Sequence, residues 1–458
     1  MHWVQLISTK APVVHLVTTL IASVIDYLGV VGQLPYRLHD HNPIYWRIRR
    51  TMKDRLLQIT AVFAFVLFCA PALAFEIKIG EHTNFQLNYL LQVHAQFAEG
   101  AADNGGWSKD FFIRRSRLIL RGDLWRNISF FFGTNQANWG KGGKWNSPLI
   151  VQDTIISFKV VEEFQVDVGL MPLPFSRANM LSMSSLNALD CHFNVIKFVP
   201  GSHNSYRDIG VQIRGNVYKK KLQYRLGIFT GAKDQPLQKD AQGNAIKDNN
   251  GKNTLKSNPE QIPRFAGHIR YSFLGQEGAP YYRAMLFGKT PSVSIGGGFD
   301  YQSAVVMSKA ATLDSKKAVI EKGILTGAYG LSFDVFADVP IGEKQEVVIA
   351  AAVFWYDHGN ELAYDTSGAA TLKAAKASGF ALSTEVGYRY DFAGAYLVAD
   401  WFKGKRAKND MLDIRGGLVF WIRQHSASVK MEFSGVQLGD LATAKWNKAF
   451  TTQVQLNY

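Results

Sequence analysis

Along most of the chain, apolar and polar residues alternate with period two, the mark of a strand whose two faces meet different surroundings. In QLNYLLQVHAQF, Leu87, Tyr89, Leu91, Val93, Ala95 and Phe97 share one face, and Asn88, Gln92, His94 and Gln96 the other. In DIGVQIRGNVY, Ile209, Val211, Ile213 and Val217 oppose Gln212, Arg214 and Asn216. RFAGHIRYSF sets Phe265, Ile269, Tyr271 and Phe273 against Arg264, His268, Arg270 and Ser272. ALSTEVGYRYDF sets Leu382, Val386, Tyr388, Tyr390 and Phe392 against Ser383, Glu385, Arg389 and Asp391. DIRGGLVFWIR sets Ile414, Leu418, Phe420 and Ile422 against Arg415 and Arg423. A soluble β-sandwich alternates in this way, and so does a barrel with lipid outside and water inside.

Three features favour the barrel. The first is a leader. MKDRLLQITAVFAFVLFCAPALAFEIKIG, from Met52, has a basic start at Lys53 and Arg55 and an apolar run over 59–70. Ala72 and Ala74 then stand ready for a cut between Ala74 and Phe75. The second is repetition, because many alternating units of about ten residues follow one another. The third is the placing of Tyr89, Trp125, Tyr224, Tyr271, Tyr388 and Tyr390 near strand ends, where rings suit a bilayer interface. The final FTTQVQLNY alternates too, with Phe450, Val454, Leu456 and Tyr458 on one face. It resembles the carboxy-terminal sorting signal of bacterial outer-membrane barrels. That implies delivery by the barrel-assembly machinery through the strand ending at Tyr458.

Residues 52–74 are therefore read as a signal peptide and 75–458 as the barrel. Residues 1–51 are read as an over-long start or amino-terminal extension, with a membrane anchor as the other reading of the apolar stretch APVVHLVTTLIASVIDYLGVVG. The linkers come in two sizes. Tight ones surround Arg126 and Lys220, and long polar ones cover 135–152, 232–263, 302–324 and 357–378. Residues 232–263 read as a mobile external loop. The expected fold is all-β: a transmembrane antiparallel β-barrel of about 16 strands, or 18, with long external loops and an aqueous interior.

Residues 110–122, DFFIRRSRLILRG, are the richest in chemistry. Strict alternation puts Phe112, Leu118, Leu120 and Leu124 on the lipid face and Arg115, Arg117, Arg121 and Asp123 in the lumen. Arg114 then falls on the lipid side near the strand end, snorkelling to a headgroup. An arginine facing lipid at the midplane costs about 2–4 kcal/mol, so the charges fix the register. Arg214, Arg225, Arg264, Arg270, Arg389 and Arg415 take the same inward parity. Such a set attracts anions and grips phosphate-type oxygens with a forked guanidinium. The alternative is bracing of the wall by Asp123, Asp167, Asp300, Glu385 and Asp391.

The formal charge is +14. Seven bases and three acids precede Phe75, which leaves +10 on the exported part. Export excludes nucleic acid as the usual partner and points to small anions and membrane lipid. With Cys69 in the leader, Cys191 stands alone, so neither a disulfide framework nor a cysteine zinc site can form. The eleven histidines are scattered, and no G-x-S-x-G, P-loop or paired-His motif occurs, so no enzyme, metal or cofactor is expected. Gly296, Gly297 and Gly298 read as a close-packed strand.

FFIRRSRLILRGDLWRNISFFF, VDVGLMPLPFSRANMLSMSS and YRDIGVQIRGNVYKKKLQYRLGIFTGA together resemble the phosphate-selective porin O and P family, best over 110–232. The resemblance implies a 16-stranded barrel, usually a homotrimer, that passes phosphate or similar small anions along basic residues on walls and constricting loops. Candidates for the loop positions are Lys141, Lys144, Arg177, Lys197 and Arg207. The low-charge segment 171–207 either folds inward or lies on the surface. A general-diffusion porin, or an adhesion barrel with a plugged lumen, is the competing reading.

Overall fold

The computed structural model describes residues 75–458 except 80, 103–104, 197–205, 234–235, 278–280, 289 and 365–369. The leader, its Ala74–Phe75 cut and the segment 1–51 lie outside the described residues, as does Lys197.

Sixteen antiparallel strands close on themselves. They are β1 (Thr83–Ala98), β2 (Ser108–Trp125), β3 (Ile128–Trp139), β4 (Ile150–Val161), β5 (Phe164–Pro172), β6 (Arg207–Val217), β7 (Leu222–Phe229) and β8 (Arg264–Leu274). The second half comprises β9 (Ser292–Lys309), β10 (Ile324–Pro340), β11 (Gln345–Asp357), β12 (Gly379–Tyr390), β13 (Ala393–Gly404), β14 (Met411–Arg423), β15 (Ala427–Leu438) and β16 (Trp446–Asn457). Each pairs with the next, and β16 pairs with β1 over Leu90–Ala98, so the main sheet has no free edge there. The short strand Phe75–Ile79 continues that ladder against Thr83–Leu87.

Period-two alternation explains the two surfaces. Ile209, Val211, Leu226, Ile228, Phe265, Ile269, Val386, Leu397 and Leu418 are exposed on the outside. Gln92, His94, Asp167, Gln212, Arg264, Arg270, Glu385, Arg415, Gln453 and Gln455 are buried inside. An apolar band outside and a polar interior is the arrangement that lipid and water together select.

The connections fall on two sides. On one side β2–β3, β4–β5, β6–β7, β10–β11, β12–β13 and β14–β15 are joined by two to four residues each. The opposite side carries the long connections. Strand β9 runs on to Lys309, eight residues into the stretch read as the loop 302–324, and the remainder holds a small hairpin of Thr312–Leu313 with Val319–Glu321. The 232–263 loop, expected to be mobile, carries the backbone pairs Pro236–Lys256, Lys239–Ala245 and Lys247–Asn253. Asp240 and Asp248 each accept backbone N–H bonds from two and four residues ahead, which closes these turns.

Two connections turn inward. Residues 173–196 fold into the lumen, where Leu173, Phe175, Met180, Leu186 and Val195 are almost fully buried. This decides the alternative left open by the sequence. The second is unexpected: the β8–β9 connection, residues 275–291, lies on the short-turn side yet is 17 residues long. Its Tyr282, Ala284 and Met285 are buried as well.

Candidate functional site

The lumen is built from the wall upward. Strand β2 is not a regular alternation. Gln92 pairs with Arg115 and Val93 with Ile113, so Arg114 is an extra residue in a β-bulge. The bulge flips parity below residue 114. Phe111 is 69% exposed on the outside, while Phe112 is 4% exposed inside. Both placements correct strict alternation, and so does Arg114. Its guanidinium does not reach a headgroup but makes a two-bond fork to Asp190 of the inward loop, at 3.0 and 2.9 Å. Arg115 bonds the same carboxylate and the Gln92 side-chain oxygen. A second bulge in β4 turns both Gln152 and Asp153 inward.

The inward loop is fastened around the lumen by single polar contacts. Phe175 lies against the triple glycine of β9, where a Cβ at Gly298 would overlap the Phe175 carbonyl oxygen. Gly298 therefore lets one backbone approach another, which is the use of a strand glycine. Ser332 donates to that same carbonyl at 2.6 Å. The Met183 carbonyl accepts from Gln92, Asn187 donates to Glu385, and Asn194 donates to Asp413. Lys430, fully buried, donates to the Leu186 and Ala188 carbonyls. His192 meets Asp400 at 2.6 Å and Glu385 at 3.9 Å.

Electrostatics holds these fastenings. Burial raises the pKa of the Asp190 carboxyl, but Arg115 and Arg114 outweigh it and hold the group well below the ordinary carboxylate range. Burial likewise opposes charge on His192, and Asp400 outweighs it and raises the ring's pKa. Burial pushes the Cys191 thiol up to about 11.

The inward arginines divide into two groups. Arg207 pairs with Asp153 at 2.8 Å, Arg214 with Asp167 at 2.7 Å and Arg389 with Glu346 at 2.7 Å. Arg264 pairs with Asp208 at 3.1 Å and faces Asp300 at 3.7 Å. Arg270 holds Glu277 and Asp334, and Arg415 holds Asp400. Arg225 stacks over the Tyr282 ring at 5.2 Å. Arg177, in the inward loop, pairs with Glu277 at 2.6 Å and lies 3.5 Å over the Phe336 ring. Of the proposed bracing acids, Asp167 and Asp300 meet arginines. Asp123 accepts from Asn84, Glu385 from Asn187, and Asp391 pairs with Lys344.

The second group is Arg117 and Arg121. Arg117 donates to the Asn135 amide oxygen at 3.0 Å, and Arg121 to that of Gln86 at 3.2 Å. Neither has a carboxylate partner among the described residues. Lys141 sits 5.0 Å over the Phe112 ring near Arg114, and Lys144 is exposed. The result is a cationic stripe along β2, from Lys141 at the long-loop end to Arg121 toward the short turns. The residues that sequence reasoning missed are Asp190, Glu277 and Tyr281. Asp190 alone left a trace, as a lone acid in a segment otherwise free of acidic residues.

The family described as phosphate-selective porin O and P matches residues 85–295. No curated protein matches the sequence. Among solved structures, the chain is similar to Salmonella typhi OmpF in complex with daunomycin, at 11% identity and a TM-score of 0.50. That match covers 84% of this chain and 100% of the other. It is equally similar to the outer membrane channel DcaP of Acinetobacter baumannii, at 11% identity and a TM-score of 0.50, over 83% and 99% of the two chains. At such identity these likenesses establish the barrel.

Proposed function

We propose that this chain, whose residues 85–295 match the phosphate-selective porin O and P family, is an outer-membrane porin with an anion-selective channel and phosphate-like ions as its solutes. The observation that carries the reading is the unpaired state of Arg117 and Arg121. A guanidinium already matched by a carboxylate presents little net field to a passing ion. One held only by a neutral amide keeps its full charge and still has donors to spare. Arg117 and Arg121 point into the lumen on one strand, with Arg114 and Lys141 above them.

A passing anion exchanges its water for these donors in steps, weakly enough to leave again. The carboxylates that would repel it are mostly engaged elsewhere: Asp190 by Arg114 and Arg115, and Asp153 by Arg207. The barrel-bracing pairs hold the wall in shape, and the β2 stripe provides the path. The leader cut before Phe75, the homotrimer and delivery through the carboxy-terminal strand are part of the same proposal.

The test is the reversal potential of the refolded chain, from Phe75 onward, in a planar bilayer under a salt gradient. A potential near the chloride limit supports the reading, and inorganic phosphate added next should block chloride current. A cation-selective barrel would make it a general porin with braced walls. A silent barrel would move the adhesion reading ahead.

A further inference from the structure

The β8–β9 connection is the anomaly of the fold. Its neighbours on the same side need two to four residues, and it uses 17. A turn that only joined two adjacent strands would not need that length. Its described part, 281–288, runs across the lumen and touches walls far apart in the barrel. The Tyr281 ring packs on Phe131 of β3 at 5.6 Å. Tyr282 lies under the guanidiniums of Arg177, Arg225 and Arg270, at 5.7, 5.2 and 5.0 Å. Leu286 donates its N–H to Asp338 of β10 at 2.7 Å. The Met285 carbonyl meets the His425 ring at 2.7 Å, and Phe287 packs edge-on against Trp421 of β14 at 5.4 Å.

This floor is also clasped to the inward loop above it. Ser182 donates its N–H to the Tyr282 carbonyl at 2.8 Å, and Tyr282 donates to the Met180 carbonyl at 2.9 Å. Arg177 reaches down to Glu277 and to the Arg283 carbonyl. Ala284 donates to the Ser185 hydroxyl at 3.3 Å. Two segments entering from opposite ends of the barrel thus form one transverse body. These contacts do not include Gln86, Arg117, Arg121 and Asn135 of β1–β3, which bond one another across the wall. Tyr281 is the residue of the floor that lies against this part of the wall, through Phe131, the cross-strand partner of Arg121. Its electrostatic neighbours are Asp153 and Arg207, and Arg117 has Tyr281, Asp153 and Arg207 among its own.

We infer that residues 281–288 are a second constriction of the channel and that the Tyr281 ring sets its size limit beside Arg117. The inference rests on the barrel being a conducting porin. Phe131 is the cross-strand partner of Arg121 and shares its face with Asn135, which binds Arg117, so the Tyr281 ring stands beside these guanidiniums and narrows the space a solute passes there. Arg117 then governs the sign of the permeant ion, and Tyr281 governs its width.

The test uses the chain from Phe75 onward, refolded in bilayers, with chloride and the wider anion gluconate as probes. Tyr281→Ala should raise chloride conductance about twofold, because current follows the open cross-section of the narrowest part. It should raise gluconate current by a larger factor and leave the reversal potential in place. Tyr281→Phe keeps the ring and should match the parent. Tyr281→Cys gives a second reading at the same position, since Cys191 is buried and a thiol reagent refills the space the ring left. A negatively charged thiol reagent should then cut the current by more than half, while the parent protein does not respond. A conducting barrel in which Tyr281→Ala passes chloride and gluconate like the parent, or in which the modified cysteine leaves the current unchanged, overturns this inference and leaves the porin reading standing. A silent parent barrel overturns both.

Discussion

The β1–β3 wall and the wall from β8 to β15 use the same residue type to different ends. Around β8–β15, Arg264, Arg270, Arg389 and Arg415 each meet a carboxylate, and the inward loop and floor press against them. On β2, Arg114 and Arg115 are tied to the loop through Asp190, and from Arg117 onward the carboxylates stop. The difference is not in the arginines. It is in which carboxylates lie alongside them: Asp208, Glu346 and Asp400 on the wall itself, and Glu277 from the floor. Where an acid lies within reach, the arginine becomes a fastening. Where none arrives, the charge stays available to an ion in the water.

The comparison breaks most severely at Arg270. It is 1% exposed and compensates both Glu277 and Asp334. Arg270→Ala takes one counter-charge from each of two buried carboxylates and should cost about 3–5 kcal/mol, seen as a lower unfolding midpoint in urea. Asp190→Asn comes next. Arg115, 2% exposed, keeps only the Gln92 oxygen and a neutral amide, at a cost of about 2–3 kcal/mol. That cost should appear as release of the inward loop, with raised and noisier single-channel current, rather than as loss of the barrel.

The pH dependence of the same loop has two limits. The native pKa of Asp190 is depressed, so its contribution is present above its unfolded value, about 3.9, and is lost only as pH falls well below that. The native pKa of His192 is raised, so its contribution is complete below about 6.5 and is lost as pH rises through the native value. Channel noise should be lowest between about pH 4 and 6.5 and should grow on the alkaline side first. The smallest effect on stability belongs to the β2 stripe. Arg117→Ser with Arg121→Ser should change the unfolding midpoint by less than about 1 kcal/mol, since no ion pair is lost. It should nonetheless move the reversal potential toward zero. If the pair of substitutions leaves the reversal potential unchanged, the two walls do not differ in function.

Much of this was legible in sequence. Residues alternating in strands such as 208–217 and 264–273 fixed which side met lipid, because a charge on the wrong side costs more than the strand can recover. The carboxy-terminal strand, the size of the barrel and the place of the triple glycine were readable on the same grounds. The bulge at Arg114 was not. One extra residue in a strand leaves no mark in composition, yet it reverses Phe111 and Phe112 and turns a headgroup arginine into a loop fastening. The floor at 281–288 was equally hidden, since a long linker reads alike whether it leaves the barrel or enters it.

The sequence by itself determined a barrel of this class, its lipid-facing and water-facing residues outside the bulge at Arg114, and a surplus of inward arginine. These follow from local periodicity and the solvent on each side. Only the tertiary structure decided which arginines are free. Pairing depends on Asp190 reaching Arg114 and Arg115 from 76 and 75 residues away along the chain, and Glu277 reaching Arg177 from 100. Such meetings are set by where two loops fold, and the alternation of a strand contains no information about that.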